Sequence, residues 1–99
     1  MRHYVDNLTL ERWRQIDASA VLERLGCYSK PDMSFEPIRA RGTQRFHVNA
    51  DGIEFELLLA GPKFFDTRAK RGGGGAVDLV MHLYGLDFKG AVSRLRGVL

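Results

Sequence analysis

The sequence predicts an α+β domain in which a small antiparallel sheet is framed by N-terminal helices and two C-terminal helices. Three observations carry this. Apolar residues recur at helical spacing between residues 7 and 26, alternate with polar ones between 33 and 67, and return to helical spacing between 76 and 97, behind the run Gly72-Gly73-Gly74-Gly75. A chain of 99 residues, 44% of them hydrophobic, builds one core and no more. The expected organisation is a single domain over 1–99: N-terminal helices at 7–26, sheet at 33–67, glycine-rich turn at 68–75 and C-terminal helices at 76–97.

The first helix is expected from Leu8, Leu10, Trp13 and Ile16, with Asp6, Asn7 or Thr9 as its cap. The second has Asp17 as cap, Val21, Leu22 and Leu25 as its apolar stripe, and Gly26 as its left-handed end. Cys27 and Tyr28 follow at the helix exit, and Ser29 to Asp32, with Pro31, reads as a turn. Phe35 and Ile38, then Phe46 and Val48, are strand residues either side of the turn Arg41-Gly42-Thr43. Asn49-Ala50-Asp51-Gly52 is a hairpin signal into Ile53, Phe55, Leu57 and Leu59. Glu54 and Glu56 alternate with that apolar set and belong to a solvated face rather than to an acid–base pair. Gly61-Pro62 turns the chain into a last short strand, Lys63 to Asp66.

A tetrapeptide of glycine loses more backbone entropy on ordering than any other, so it is expected where the chain turns through positive φ or is closely approached, with Gly73 or Gly74 as the positive-φ residue. The helix that follows, Ala76 to Tyr84, would then direct its unpaired N–H groups out of the glycine run, beside Arg68, Lys70 and Arg71, where an anion is favoured. Asp78 and His82, four residues apart, share one face of that helix as a surface pair with too few ligands for a metal. Asp87 caps the last helix, whose stripe is Phe88, Ala91, Val92 and Leu95.

The formal charge of +3 is mildly basic, and its distribution says more than its sum. Arg39, Arg41 and Arg45 group together, and Lys63, Arg68, Lys70 and Arg71 flank the glycines, apart from Asp51, Glu54 and Glu56. One cysteine and three scattered histidines supply neither a disulfide nor a paired metal site, so neither a cofactor nor a metal is expected. Cys27 is a small buried hydrophobe rather than a nucleophile. The N-terminus has no apolar leader core, and no run approaches membrane-span length, so the expectation is a cytoplasmic protein with no membrane partner.

The run Ala76-Val77-Asp78-Leu79-Val80-Met81-His82-Leu83-Tyr84-Gly85-Leu86-Asp87-Phe88-Lys89-Gly90-Ala91-Val92-Ser93-Arg94-Leu95, behind a strand and a glycine-rich turn, resembles the C-terminal half of the zinc-binding domain of DnaG-type bacterial primases. The likeness extends over about Ile16 to Leu95 and is specific from Phe64 onward. That family's Cys-His-Cys-Cys ligands are absent. Phe65-Asp66-Thr67 and the glycines stand where a cysteine pair would bracket the turn, so the chain is more similar to zinc-free relatives at the N-terminus of Toprim primase-like proteins of plasmids and mobile elements. The resemblance implies a zinc-ribbon-like fold without zinc, with Trp13, Phe46, Phe55, Phe64, Phe65 and Phe88 packing in place of the metal. It also implies a non-catalytic module that holds single-stranded DNA for a separate Toprim primase or other replication protein. The expected nucleic-acid site is Arg39, Arg41, Arg45, Lys63, Arg68, Lys70 and Arg71 with the backbone of Gly72, Gly73, Gly74 and Gly75. A protein-interaction adapter that kept the fold without DNA contact is the rival expectation, and a small phosphate or nucleotide site, lacking the Lys-Ser/Thr of a P-loop, ranks last.

Overall fold

The computed structural model describes residues 5–35 and 42–99. They form a small α+β fold in the order α1 (Asn7–Gln15), α2 (Ala18–Leu25), β1 (Tyr28–Pro31), β2 (Gln44–Ala50), β3 (Ile53–Ala60), β4 (Lys63–Asp66), β5 (Arg71–Gly74), α3 (Ala76–Tyr84) and α4 (Phe88–Arg96). The five strands make one antiparallel meander, each paired with its sequence neighbours, so β1 and β5 are the edges.

Local chemistry explains the element ends. The Asp6 carboxylate accepts from the Thr9 N–H at 2.7 Å and starts α1, and Asp87 does the same for α4 by accepting from the Gly90 N–H at 2.8 Å. Gly26 (φ 74°) and Gly85 (φ 63°) end α2 and α3 in the left-handed conformation that glycine adopts without a Cβ clash. Asp51 and Gly52, both at positive φ, close the β2–β3 hairpin with the twist a two-residue loop requires.

The four helices and one face of the sheet share a single core. That face presents Phe46, Val48 and Ala50 from β2, Leu57 and Leu59 from β3 and Phe64 from β4 to Trp13, Val21, Leu22, Leu79, Val80, Leu83, Val92 and Leu95. Strand alternation sends the intervening residues to the opposite, outer face: Tyr28 and Lys30, then Arg45, His47 and Asn49, then Glu54, Glu56 and Leu58, then Lys63 and Phe65. Among the described residues no helix is long and apolar enough to cross a membrane.

Several expectations are corrected. Ser29 to Pro31 is not a turn but most of β1, whose backbone pairs with β2 despite Pro31, because an edge strand needs only half its amide groups. Phe35 lies outside any strand, and Ile38 falls outside the described residues. Residues 71–74 of the expected glycine-rich turn form the edge strand β5. Gly73 and Gly74 are not at positive φ; Gly75 is, at 94°. Of the aromatics expected to replace a metal, Trp13, Phe46 and Phe64 are buried, Phe55 is half-buried, and Phe65 and Phe88 are exposed. Leu8, expected on the buried edge of α1, is also exposed.

Candidate nucleic-acid interface

The β4–β5 hairpin is held to α3 by a buried carboxylate. Asp66, only 4% exposed, accepts from the Arg68 and Ala69 N–H groups at 3.0 Å each and contacts His82 Nε2 at 2.6 Å. Burial works to raise the Asp66 pKa, but the hydrogen bonds from Ala69, His82 and Arg68 outweigh it and leave the carboxyl below its ordinary range. One side chain therefore fixes the shape of the 67–70 turn and clamps it to the helix. His82 is further enclosed by the Phe64 and Phe55 rings, with centroids 5.6 and 5.7 Å from its own. The expected surface pairing of Asp78 with His82 is absent, since His82 turns to Asp66 while Asp78 Oδ2 accepts from the Gly74 N–H at 3.3 Å.

That last contact changes the picture of the α3 N-terminus. A carboxylate of the helix's own first turn already lies there and supplies the negative charge that the macrodipole favours. Within the phosphate position expected at Gly73, Gly74 and Gly75, the Gly74 N–H thus already has a carboxylate partner. Some of the glycines are also required by close packing. A Cβ on Gly72 would lie 2.8 Å from the Phe64 carbonyl oxygen and 3.0 Å from Phe65 Cδ1, and one on Gly73 would lie 3.1 Å from the Phe64 ring and 3.2 Å from Asp78 Cβ. Gly75 touches Arg14 of α1 and needs its positive φ, whereas Gly74 would meet only Lys63 Cγ at 3.8 Å.

The described basic residues divide between the two faces of the sheet. Arg39 and Arg41 lie outside the described residues. Arg45 is on the outer face but engaged: its Nε donates to Asp32 Oδ2 at 2.9 Å, and its guanidinium lies 5.2 Å from the Phe35 ring centroid. Hydrogen bonds from Ser34 and from Arg45 hold the Asp32 carboxyl well below the usual carboxylate range. Lys63 is exposed on the outer face, and Arg68 reaches the same side beside Tyr28, Lys30, His47 and Glu54. Lys70 sits in the turn at φ 55°, a left-handed conformation costly for a residue with a Cβ. Arg71, opposite Asp66 in the ladder, points to the helix side and lines a cavity with Phe64 and His82. Lys63, Arg68, Lys70 and Arg71 make no ion pair with a described acid.

Two residues that the sequence did not mark for function complete the outer face. Tyr28 is 61% exposed and Phe65 is 42% exposed, on strands near opposite edges of the sheet. One edge of the Phe65 ring rests over Gly72, which leaves the other side of the ring to solvent. Their signal was strand alternation, which places any two consecutive residues on opposite faces. Cys27 is half-buried, with its thiol 3.6 Å from the Leu22 carbonyl oxygen, and burial pushes its pKa up, which disfavours a nucleophilic role. The donors of a zinc site do not fit: the lone cysteine lies just beyond α2 with its thiol on the Leu22 carbonyl, His82 is committed to Asp66, and no three His, Cys, Asp or Glu residues cluster among those described.

No family model matches the chain, and no solved structure matches it. A "65 kDa protein" of Zymomonas mobilis subsp. mobilis is 51% identical over 41 residues, which is 41% of this chain and 7% of that protein. The chain therefore matches a small segment of a much longer relative, whose printed name specifies no chemistry.

Proposed function

We propose that this domain is a zinc-free, primase-type module that binds single-stranded DNA on the outer face of its sheet. It would act in the cytoplasm, within the replication apparatus of a plasmid or other mobile element, and catalysis would fall to a separate Toprim primase or other replication protein. The observation that carries the reading is a sheet face that no described helix covers and that bears two exposed aromatic rings, Tyr28 and Phe65, among the cations Lys30, Lys63 and Arg68. Every base has a π-face, so rings of this kind take bases with little regard to sequence, at about 1–3 kcal/mol per stacked base, while lysine and arginine follow the phosphates. The likeness of residues 64–95 to the primase zinc domain supports the same class of ligand.

A lysine in the left-handed conformation at position 70, where glycine would be unstrained, agrees with a use for its charge at the hairpin tip. The test is anisotropy of a labelled oligothymidylate titrated at several salt concentrations. The double variant Lys63→Ala/Arg68→Ala should flatten the slope of log affinity against log salt by roughly 1.4, from about 0.7 for each phosphate contact on a single strand. An unaltered slope removes these cations from the site. Absence of binding by the wild-type protein at low salt overturns the function.

A further inference from the structure

His47 stands at the middle of the outer face. Strand alternation on β2 sends it there with Arg45 and Asn49, and the ladder sets it between Lys30 of β1 and Glu56 of β3. Its side chain is 49% exposed and lines a cavity of about 290 Å³ with Tyr28, Lys30, Asn49, Glu54 and Arg68. That cavity joins one of the exposed rings to two of the cations of the proposed DNA site.

His47 is uncommitted where His82 is not. Asp32 Oδ2 lies 3.7 Å from its Nε2, beyond hydrogen-bonding reach, and the Asp32 carboxylate is already taken by the Arg45 guanidinium and by the N–H and hydroxyl of Ser34. Glu56, opposite His47 in the ladder, accepts from the Thr67 hydroxyl at 3.0 Å. Neither acid therefore holds the imidazole, which is left to turn toward a ligand.

The charges that face His47 balance without it. Lys30 on β1, Arg45 on β2 and Arg68 from the 67–70 turn are set against Asp32 beyond β1 and Glu54 and Glu56 on β3. The bonds from Ser34 and Arg45 hold the Asp32 carboxyl well below its usual range, so it stays charged in mild acid. An imidazole is the side chain that ordinarily changes charge between about pH 5 and 8. One proton on His47 thus turns a balanced surface into a cationic one.

We propose that His47 is a phosphate-contacting residue of the outer face that enters the site only when protonated, so that binding of single-stranded DNA takes up a proton. The inference rests on the outer face being the DNA site, and it adds a residue and the condition under which that residue acts. The protonated ring offers a charged N–H donor beside Lys30 and Arg68, the form of hydrogen bond a phosphate oxygen accepts best. Since the protonated protein binds more tightly, affinity is greatest in mild acid and is lost as the pH rises.

The test is anisotropy of a labelled oligothymidylate at about pH 5.5 and about pH 8, a range over which histidine changes charge and thymine does not. At the lower pH the Asp66 carboxyl, held below its ordinary range, keeps its charge and the fold its clamp. The wild-type protein should bind about threefold or more tightly at the lower pH, with a salt slope steeper by roughly 0.7. His47→Gln should show the weaker affinity at both pH values, and His47→Lys, whose charge is fixed, the tighter one at both. His3 and His82 remain in both variants, so a pH dependence that arises from them persists in His47→Gln. Equal wild-type affinity at the two pH values, or the wild-type pH dependence kept in His47→Gln, overturns the inference and leaves DNA binding standing. A folded His47→Lys protein no tighter than His47→Gln at about pH 8 overturns the phosphate contact. Absence of binding by the wild-type protein and by His47→Lys at the lower pH overturns the inference together with the function.

Discussion

Phe64 and Phe65 are neighbours in the chain and occupy opposite worlds. Phe64 is 5% exposed, packed beside His82 under α3, and its ring is one reason Gly73 has no side chain. Phe65 is 42% exposed, with one edge of its ring over Gly72 and nothing from a helix above it. Identical side chains one residue apart thus divide between the core and the surface. The inner face shares its core with the four helices and holds the fold; no described helix covers the outer face.

The comparison breaks most visibly at Phe64. Phe64→Ala should cost about 3–5 kcal/mol, the range for removing a buried ring whose cavity cannot collapse, measured by urea unfolding. A loss no larger than that of Phe65→Ala would mean that the two faces are not energetically distinct.

Next in size is the clamp behind Phe64. Removing the Asp66 carboxylate leaves two turn amides and His82 without their partner, so Asp66→Ala should cost about 1–3 kcal/mol. A carboxyl whose folded pKa is depressed stabilises the fold above its unfolded value near 3.9 and loses that contribution as pH falls through the lower folded value. Wild-type stability should therefore fall on acidification below about pH 4 more steeply than that of Asp66→Asn. Parallel acid profiles would show that Asp66 is not the charged member of the clamp.

The glycine strand sharpens the contrast on a smaller scale. Gly72→Ala meets a backbone oxygen that cannot rotate away and should cost about 1–3 kcal/mol as an overpacking change, whereas Gly74→Ala has room and should stay within about 0.5 kcal/mol. Equal costs, by thermal unfolding, would mean that the strand is not closely packed.

These residues also show which features could be seen in the sequence. The α+β order, the Asp51-Gly52 hairpin and the Gly26 helix end were legible, because each rests on a periodicity or on a backbone conformation that a single residue type prefers. β5 was not, since a glycine strand has no side-chain alternation and exists through the ladder it forms with β4. β1 was hidden for a related reason: Pro31 suggests a turn, and only its pairing with Phe46 makes it a strand end. The Asp66–His82 clamp joins residues sixteen apart, and the sole local hint was an aspartate opening a turn, whose side chain commonly bonds the amides that follow. Alternation in a Phe-Phe pair requires that one ring be buried and one outward, but the assignment comes from α3, which covers Phe64 alone. The basic cluster was legible as composition, while its division between two faces was not, because Arg71 and Lys63 part only once the register is fixed.

The central claim is that the outer face binds single-stranded DNA through its exposed rings, and the most direct measurement is the affinity of Phe65→Ala for a labelled oligothymidylate beside its unfolding free energy. Loss of one stacked base is worth about 1–3 kcal/mol, so binding should weaken between several-fold and about a hundredfold while stability changes by less than about 1 kcal/mol. Wild-type affinity in a folded Phe65→Ala protein would contradict the account and return the outer face to ordinary solvated surface.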